Sequence, residues 1–295
     1  MAQITLDELN KMDRSAFVAA LGDIFEHSPW IAEVAYTARP FCSLEALYLT
    51  MTNAVREVGH DRQVALIAGH PDLAGKAARE GTLTTDSTNE QASAELNRLT
   101  EEEFANFHRL NSTYRAKFGI PFIVCVRRHG KDSILRQFER RLANESAAEQ
   151  KTALNEIFRI AALRLDQRVS ASDRLKVHGR LSTHVLDTQC GSPAEGVAVD
   201  LFEVTAAGRP RLIASATTNA DGRTERPLLA DHPIPIAEYE LRFNIGAYFA
   251  RQRVATADPP FLGLVLIRFS VAEPEAHYHV PLLVTPWSYS TYRGS

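Results

Sequence analysis

Three basic side chains in the second half of the chain have the chemistry to hydrolyse an activated amide. They are His184, Arg223 and His279, and His277 lies two positions before the last of them. An imidazole takes a proton from water near neutral pH, and a guanidinium stabilises an oxyanion or binds a carboxylate. Residues two apart on a strand point to the same face, so we expect His277 and His279 to share a surface. Such a set predicts hydrolysis without a nucleophilic serine or cysteine.

Residue identity and spacing alone leave two other interpretations of these residues open. Histidines are common in strands, and Asp221–Gly222 is a typical hairpin turn, so the set has a purely structural interpretation. Alternatively, His184, His277 and His279 would form a zinc site, because imidazole is a common zinc ligand. No carboxylate or cysteine recurs at ligand spacing, which weighs against zinc.

A second group of polar residues with possible chemistry lies in the first half. His70 stands directly before a proline, which disfavours helix, so we expect it at a helix end or in a loop. Ser87 and Glu90 precede a helical pattern, and taken alone they fit a capping box. Arg164 is a charge within the apolar run 160–165, where a snorkelling side chain is the structural alternative.

The elements that must position the polar residues of the first half are helices. Residues 5–8 and 100–103 have capping-box patterns ahead of apolar residues at helical spacing. Ser43 opens another helix, and residues 151–168 carry an apolar stripe of helical period. Only residues 121–126 look strand-like, and we expect a short extended segment there.

Beyond residues 169–174 the pattern becomes that of an all-β domain. Short segments rich in β-branched and aromatic residues are separated by Gly, Pro and Asp-Gly turns: 197–204, 212–218, 239–245 and 264–271. Several strands at such spacing predict an antiparallel sandwich. We therefore predict an all-α domain over residues 1–169 and an all-β domain over residues 170–295.

Composition excludes several classes of function. The chain has 295 residues, which fits one large domain or two ordinary ones, and its 45% apolar and 23% charged residues are typical of a soluble globular protein. A net charge of −3 gives no electrostatic case for binding nucleic acid or an anionic membrane. No apolar run approaches the roughly 20 residues of a spanning helix, and a signal-peptide pattern is missing. Three widely separated cysteines suit a reducing compartment, so we expect a cytoplasmic protein, or a peroxisomal one in a eukaryote.

The β half resembles the transthyretin-related 5-hydroxyisourate hydrolases over residues 176–295. The matching segments occur in order and are Leu181–Asp187, Gly191–Ala194, Thr218–Arg223, His277–Leu283 and Tyr292–Ser295. The resemblance implies that His184, Arg223 and His279 are catalytic and that Tyr292, Arg293, Gly294 and Ser295 close the pocket. It also implies a homotetramer, formed through the β domain, with its sites in a channel between dimers. No metal is required.

The α half resembles the decarboxylases of 2-oxo-4-hydroxy-4-carboxy-5-ureidoimidazoline (OHCU) over roughly residues 5–168. Four separated motifs match in order: His70–Gly75, Ser87–Ala92, Tyr114–Phe122 and Leu163–Leu165. The resemblance implies that His70 and Glu90 are the catalytic pair. The residues that it implies for substrate binding are Pro71, Ser87, Gln91, Phe118, Gly119, Ile120, Pro121, Ile123 and Arg164. No cofactor is expected, because the conjugated ring of the substrate can accept the electrons that loss of CO2 leaves behind.

Together the two resemblances predict a bifunctional enzyme of urate degradation. The product of the β half is the substrate of the α half, so the chain would hydrolyse 5-hydroxyisourate to OHCU and decarboxylate OHCU to (S)-allantoin. It would act downstream of urate oxidase on small purine derivatives, with neither nucleic acid nor a membrane as partner. The rival prediction is a transthyretin-like carrier, which should have lost some of His184, Arg223, His279 and the terminal tetrapeptide, yet all are present.

Overall fold

The computed structural model divides the chain into two compact units. It describes residues 3–75, 84–94, 96, 99–205, 208 and 210–294. One unit comprises residues 1–127 and 133–177, and the other comprises residues 128–132 and 178–295. The first is helical and the second consists mainly of β-sheets, which confirms the predicted fold classes. Within the described ranges, no helix is long and apolar enough to span a membrane.

Helices build the first unit around one apolar core. In chain order they are α1 (Leu6–Lys11), α2 (Arg14–Leu21), α3 (Trp30–Tyr36), α4 (Leu44–Glu57), α5 (His60–Ala68), α6 (Thr85–Ser93), α7 (Glu101–Phe118), α8 (Lys131–Arg141) and α9 (Ser146–Arg168). Helix α9 packs against α4 and α5, and most of its second half is buried. Strand β1 (Ile4–Thr5) pairs in parallel with β2 (Val169–Ser170), so the end of α9 is tied to the start of α1.

Side-chain caps fix where several of these helices begin. The predicted capping boxes at Thr5 and Thr100 are both formed, and Ser43 accepts a hydrogen bond from the Ala46 N–H at the start of α4. These three helix starts are confirmed. Since a cap replaces one of the hydrogen bonds that the first turn lacks, each stabilises its helix by about 1 kcal/mol.

The cap of α6 is not the one that Ser87 and Glu90 suggest. Thr84 is the N-cap, and its hydroxyl accepts the Ser87 N–H at 3.3 Å. Ser87 and Glu90 therefore lie inside the helix, and the capping-box interpretation of this pair is wrong. Their side chains are left to other partners.

The strand-like segment at residues 121–126 does not form a strand. Residues 121–125 have no regular secondary structure and Val126–Arg128 form a 3-10 turn. Buried charged side chains take over the hydrogen bonds that a neighbouring strand would supply. The Cys125 N–H donates to Glu156 at 2.9 Å, and the Ile123 carbonyl accepts from Arg141 at 2.5 Å.

In its described residues, the second unit contains three sheets around a separate core. Its strands are β3 (Gly179–Ser182), β4 (Val185–Asp187), β5 (Ser192–Pro193), β6 (Ala198–Val204), β7 (Pro210–Thr217), β8 (Leu229–His232), β9 (Glu238–Asn244), β10 (Leu264–Ser270), β11 (His277–His279), β12 (Leu282–Val284) and β13 (Tyr289–Thr291). The strand orders are β10-β9-β6-β7, β11-β3-β8 and β13-β12-β4-β5.

Two features of this unit depart from a purely antiparallel sandwich. β3 pairs with β11 in parallel, and β4 does so with β12. A short helix, α10 (Ile245–Arg251), follows β9 directly, and the Asn244 side chain caps it. The predicted strand 239–245 therefore ends at Asn244, where the Asn side chain offers the cap.

Candidate active sites in the two units

A pocket in the helical unit gathers residues from four separate parts of the chain. Its walls come from the end of α5, from α6, from the irregular segment after α7 and from α9. The lining residues are His70, Pro71, Leu73, Ser87, Glu90, Gln91, Phe122, Ile123, Val124, Val126, Ile160 and Arg164. Polar and apolar side chains both line the pocket, a combination that orients a small polar ligand and excludes water from it.

His70 is held as a neutral imidazole with one nitrogen committed. The side chain is buried, and Nδ1 lies 2.9 Å from the Leu66 carbonyl oxygen. A carbonyl only accepts hydrogen bonds, so Nδ1 carries the proton and Nε2 is left as an acceptor for a ligand. Burial lowers the pKa of His70 to about 4, although the nearby Glu26 carboxylate acts in the opposite direction.

Arg164 lies between two carboxylates at the base of this pocket. Its Nε and Nη2 atoms donate to the two oxygens of Glu90 at 2.8 and 2.9 Å, and Nη1 donates to Glu26 at 2.9 Å. The arginine is only 5% exposed. It does not snorkel to the surface, so the structural interpretation of Arg164 is wrong.

The two carboxylates on Arg164 have opposite electrostatic character. Burial raises the pKa of Glu90, against the hydrogen bonds and charge of Arg164. Burial also acts to raise the pKa of Glu26, but the Arg164 charge and hydrogen bonds from Thr84 and Arg164 outweigh it and lower that pKa. Of the pair, Glu90 is the carboxyl that more readily takes a proton.

Gln91 and Ser87 are fixed by neighbours of the pocket. The Gln91 Oε1 atom accepts the Ala74 N–H at 3.0 Å, which holds the loop after His70 against α6. The Ser87 hydroxyl donates to Glu26 at 3.2 Å. Gln91 thus keeps its amide N–H groups for other partners, and Ser87 is tied to the carboxylate that holds Arg164.

The structure places part of the predicted substrate-binding segment outside the pocket. Ile123 lines it, whereas Phe118, Gly119, Ile120 and Pro121 do not. Gly119 ends α7 with a φ of 70°, a left-handed conformation that favours glycine. The ring of Phe118 packs against Tyr114, with centroids 4.7 Å apart.

Several residues of this site were not predicted from the sequence. The lining residues in this class are Leu73, Val124, Val126 and Ile160, and Glu26, which is not among the lining residues, binds Arg164. Glu26 has no comparable signal, because polar residues flank it and the pair Ile24–Phe25, whereas Arg164 interrupts a longer apolar run.

In the β unit the candidate site lies where two neighbouring strands are interrupted. Thr183 and His184 separate β3 from β4, and Val280 and Pro281 separate β11 from β12. At the first interruption His184 forms an isolated antiparallel bridge with Arg223. The histidine and the arginine of the predicted set are therefore neighbours across a bridge.

Gly222 makes this approach possible. It has a φ of 69°, and a Cβ atom there would lie 2.3 Å from the Val185 carbonyl oxygen. The Val185 N–H donates to the Gly222 carbonyl at 2.8 Å. Asp221–Gly222 is thus a turn, as the structural interpretation held, and the same turn sets Arg223 beside His184.

The C-terminal segment lies against His279. The Gly294 N–H donates to the His279 carbonyl at 2.8 Å, and a Cβ atom on Gly294 would lie 2.8 Å from the imidazole. The Arg293 guanidinium lies 4.4 Å from the centre of the Tyr278 ring, and Tyr292 is exposed. Ser295 lies outside the described residues.

Ser182 links the two histidines of β11, a contact that no sequence pattern indicated. Its hydroxyl oxygen is 2.8 Å from Nε2 of His277 and 3.0 Å from Nδ1 of His279. Because Nδ1 of His279 is engaged, Nε2 is the ring atom left for a ligand. The parallel register that sets His279 opposite Ser182 creates this contact.

The electrostatics of the site favour neutral imidazoles beside a positive charge. Burial and the Arg223 charge lower the pKa of both His184 and His279. Among the described residues, the Arg223 side chain makes no hydrogen bond or ion pair, and the buried Nε2 of His184 has no hydrogen-bond partner. Neutral imidazoles can accept a proton from water, and the guanidinium is available to an oxyanion.

The zinc alternative finds no ligand set here. Within the described part of the chain, no group of three His, Cys, Asp or Glu side chains is arranged to hold a metal ion. His277 and His279 instead share a contact with the Ser182 hydroxyl, which lies between them.

The lowered pKa values predict the pH dependence of hydrolysis at this site. The rate should stay level as pH falls to the ordinary histidine range near 6.5 and should decline only below it, because the neutral form is the proton acceptor. Initial rates of hydrolysis, measured between about pH 5 and pH 8 and corrected for spontaneous decay, test this. A decline that begins well above pH 7 would contradict the assigned environment.

Comparison with known proteins supports the family resemblance predicted for each half of the chain. Residues 10–166 match the family model described as OHCU decarboxylase, and residues 181–294 match that of the HIUase/Transthyretin family. One relative is the 2-oxo-4-hydroxy-4-carboxy-5-ureidoimidazoline decarboxylase of Haloferax volcanii. It is 42% identical over 172 residues, which cover 58% of this chain and 99% of the relative. A 5-hydroxyisourate hydrolase of Deinococcus radiodurans is 52% identical over 118 residues, covering 40% of this chain and 98% of the relative.

A solved structure matches the chain over both units. It is a crystal structure of (S)-allantoin synthase, 32% identical, with a TM-score of 0.54, and the match covers 99% of this chain and 100% of the other. The match therefore extends over both the helical unit and the β unit of this chain.

Fold and sites together define an enzyme with two separate centres for small polar ring compounds. The chain belongs to the OHCU decarboxylase family, and its second part belongs to the HIUase/Transthyretin family. The predictions of a bifunctional enzyme of urate degradation, with hydrolase and decarboxylase activities, are confirmed, and the carrier alternative is not supported.

Proposed function

We propose that this chain converts 5-hydroxyisourate to (S)-allantoin in two steps, with hydrolysis in residues 170–295 and decarboxylation in residues 1–169. One observation supports this above all. Each half carries a compact constellation of its own, with His70, Glu90 and Arg164 around one pocket and the His184–Arg223 bridge in the other unit.

In the hydrolytic step, His184 and His279 orient a water molecule and take its proton. The water oxygen attacks the ring amide carbonyl of 5-hydroxyisourate, and Arg223 stabilises the charge that develops on the carbonyl oxygen. The carbon–nitrogen bond then breaks, the departing nitrogen receives the proton from an imidazole, and the ring opens to a carboxylate. The contact between Ser182 and Nδ1 of His279 orients the imidazole so that Nε2 faces the water molecule.

In the decarboxylation step, Arg164 binds the substrate carboxylate through paired hydrogen bonds. Nε2 of His70, as a neutral acceptor, holds the hydroxyl on the reacting carbon. The bond to CO2 breaks, its electron pair passes into the conjugated ring, and a proton is added to a ring carbon. Glu90 carries that proton, since its pKa is raised by burial.

The enantiomer follows from the geometry of this pocket. Polar groups from α6 and α9 line it together with the apolar residues of the irregular segment. A proton delivered by Glu90 reaches only the face of the ring that is turned toward α6. The apolar residues exclude water, which would protonate either face.

We also propose a homotetramer assembled through the β domain, supplied by a urate oxidase. Large aromatic side chains are exposed near the C-terminal segment, namely Trp287 at 56%, Tyr289 at 47% and Tyr292 at 58%. Such a cluster is typical of a surface that a second copy covers. The chain would act where urate oxidation supplies 5-hydroxyisourate, in the cytoplasm or, in a eukaryote, the peroxisome.

The proposal is tested by producing 5-hydroxyisourate in situ with urate oxidase and following ultraviolet absorbance and circular dichroism together. With the chain present, absorbance of 5-hydroxyisourate should decay faster than in the blank, and the dichroism of a single allantoin enantiomer should grow. If both the absorbance and the dichroism follow the blank, both steps are refuted. An optically active intermediate that fades to racemate would refute the decarboxylation step alone.

A further inference from the structure

Glu26 is a buried carboxylate that contacts two polar residues lining the decarboxylase pocket, Ser87 and Arg164. It lies between α2 and α3 and is 3% exposed. Oε1 accepts hydrogen bonds from Thr84 at 2.8 Å and Ser87 at 3.2 Å, and Oε2 accepts one from Arg164 at 2.9 Å. A buried charge with three such partners at the edge of a catalytic pocket calls for a functional explanation.

The contacts divide the Arg164 guanidinium into two edges. Nη1 is held by Glu26 and by the Asp23 carbonyl at 3.2 Å, both of which lie outside the pocket lining. Nε and Nη2 form the other edge, which binds Glu90. That second edge is the planar fork that matches a single carboxylate.

We propose that Glu26 is a positioning residue for decarboxylation, which anchors Arg164 so that its Nε–Nη2 edge binds one carboxylate at a time. In the free enzyme that carboxylate is Glu90. In the complex it is the carboxylate of the substrate, so binding of OHCU releases Glu90 beside the reacting ring. This inference rests on the proposed decarboxylation.

The charges around the cluster support an exchange of carboxylates. Two ionised glutamates on one arginine leave an excess negative charge, so a third carboxylate is accepted only if Glu90 moves away or takes a proton. Burial already raises the pKa of Glu90, and the charges of Glu26 and Asp86 add to that effect. Arg168, which faces the cluster from α9, is itself paired with Asp23 and Asp86.

Glu26 also sets the orientation of Ser87. The hydroxyl donates to Oε1 of Glu26, while Nη2 of Arg164 lies 3.4 Å from the same hydroxyl oxygen. Glu26 therefore orders two side chains of the pocket with one carboxylate. Both should become less well placed when its charge is removed.

The inference is tested with Glu26→Gln in the full chain, alongside Glu33→Gln as a matched control. Glu33 lies on the adjacent α3 and pairs with Arg14 in an exposed ion pair, remote from the pocket lining. OHCU is generated from urate by urate oxidase and an excess of separate 5-hydroxyisourate hydrolase. Steady-state dichroism then gives KM and kcat for decarboxylation as a function of pH.

We expect Glu26→Gln to raise KM about tenfold with a smaller change in kcat, because it loosens the fork that binds the substrate carboxylate. The acid limb of the pH profile should also move to lower pH, since losing a negative charge lowers the pKa of His70, which acts as a neutral acceptor. The alkaline limb should move in the same direction, because the pKa of the proton carrier Glu90 falls as well. Glu33→Gln should change neither. A Glu26→Gln variant whose KM is within twofold of the wild-type value and whose pH profile is not shifted would overturn the inference.

Two further readouts keep the outcomes distinct. If Glu26→Gln loses its helical dichroism, Glu26→Asp, which keeps the charge but withdraws it by one methylene, is judged by the same KM criterion. A wild-type chain that does not decarboxylate OHCU would refute the proposed function itself. An active wild type with an unaffected Glu26 variant would refute only the positioning role.

Discussion

The variant His184→Ala is expected to lose hydrolysis of 5-hydroxyisourate by about a hundredfold or more, while decarboxylation of supplied OHCU continues at the wild-type rate. Removing a general base typically costs about 10²–10⁴ in rate. His184 is one of the two imidazoles beside Arg223, and no other described histidine bridges to that arginine. Decay of ultraviolet absorbance measures the first rate, and dichroism with an added hydrolase measures the second.

A matched control for this variant is His232→Ala in the same unit. His232 lies on β8, and its Nδ1 atom contacts the carbonyl of its own neighbour Pro233 at 2.8 Å. We expect wild-type hydrolysis in this control. Near-normal turnover in His184→Ala would contradict the assigned site, provided that the variant keeps the wild-type β-sheet dichroism.

The second large effect is expected for Glu90→Gln. Decarboxylation should fall by about a hundredfold or more, because the side chain can no longer carry a proton. Hydrolysis should be unchanged, so the optically active OHCU should accumulate and then decay slowly to racemic allantoin. The time course of dichroism after addition of urate and urate oxidase separates these stages.

Asn89→Ala provides the control on the same helix. Asn89 is exposed and is absent from the pocket lining, so the variant should decarboxylate normally. The glutamine in Glu90→Gln can still accept a hydrogen bond from Arg164, which limits the structural damage. Rapid formation of one allantoin enantiomer by Glu90→Gln would show that Glu90 does not carry the proton.

Secondary-structure elements could be predicted from the sequence more reliably than the contacts between their side chains. Helix starts at Thr5, Ser43 and Thr100 could be predicted because a cap depends on residues within one turn. Ser87 misled the same reasoning, because Thr84 three positions earlier offers an equivalent hydroxyl and takes the cap. A local sequence pattern does not decide which of two nearby hydroxyl residues caps a helix.

Contacts across the fold were beyond such reasoning. Glu26 meets Arg164 over a separation of 138 residues, and Ser182 meets His279 over 97. Neither pair has a short-range signal, since each depends on how helices or strands pack. The segment 121–126 shows the same limit, because its apolar pattern gave no hint that charged side chains replace a neighbouring strand.

The most direct test of two independent sites acting in sequence is complementation between the two variants. His184→Ala, Glu90→Gln, their equal mixture and the wild type each receive urate and urate oxidase, and the enantiomeric ratio of the allantoin is measured at completion. We expect one enantiomer from the wild type and, more slowly, from the mixture, and largely racemic allantoin from Glu90→Gln alone. A mixture that yields the same racemate as Glu90→Gln would contradict two separable sites on one chain.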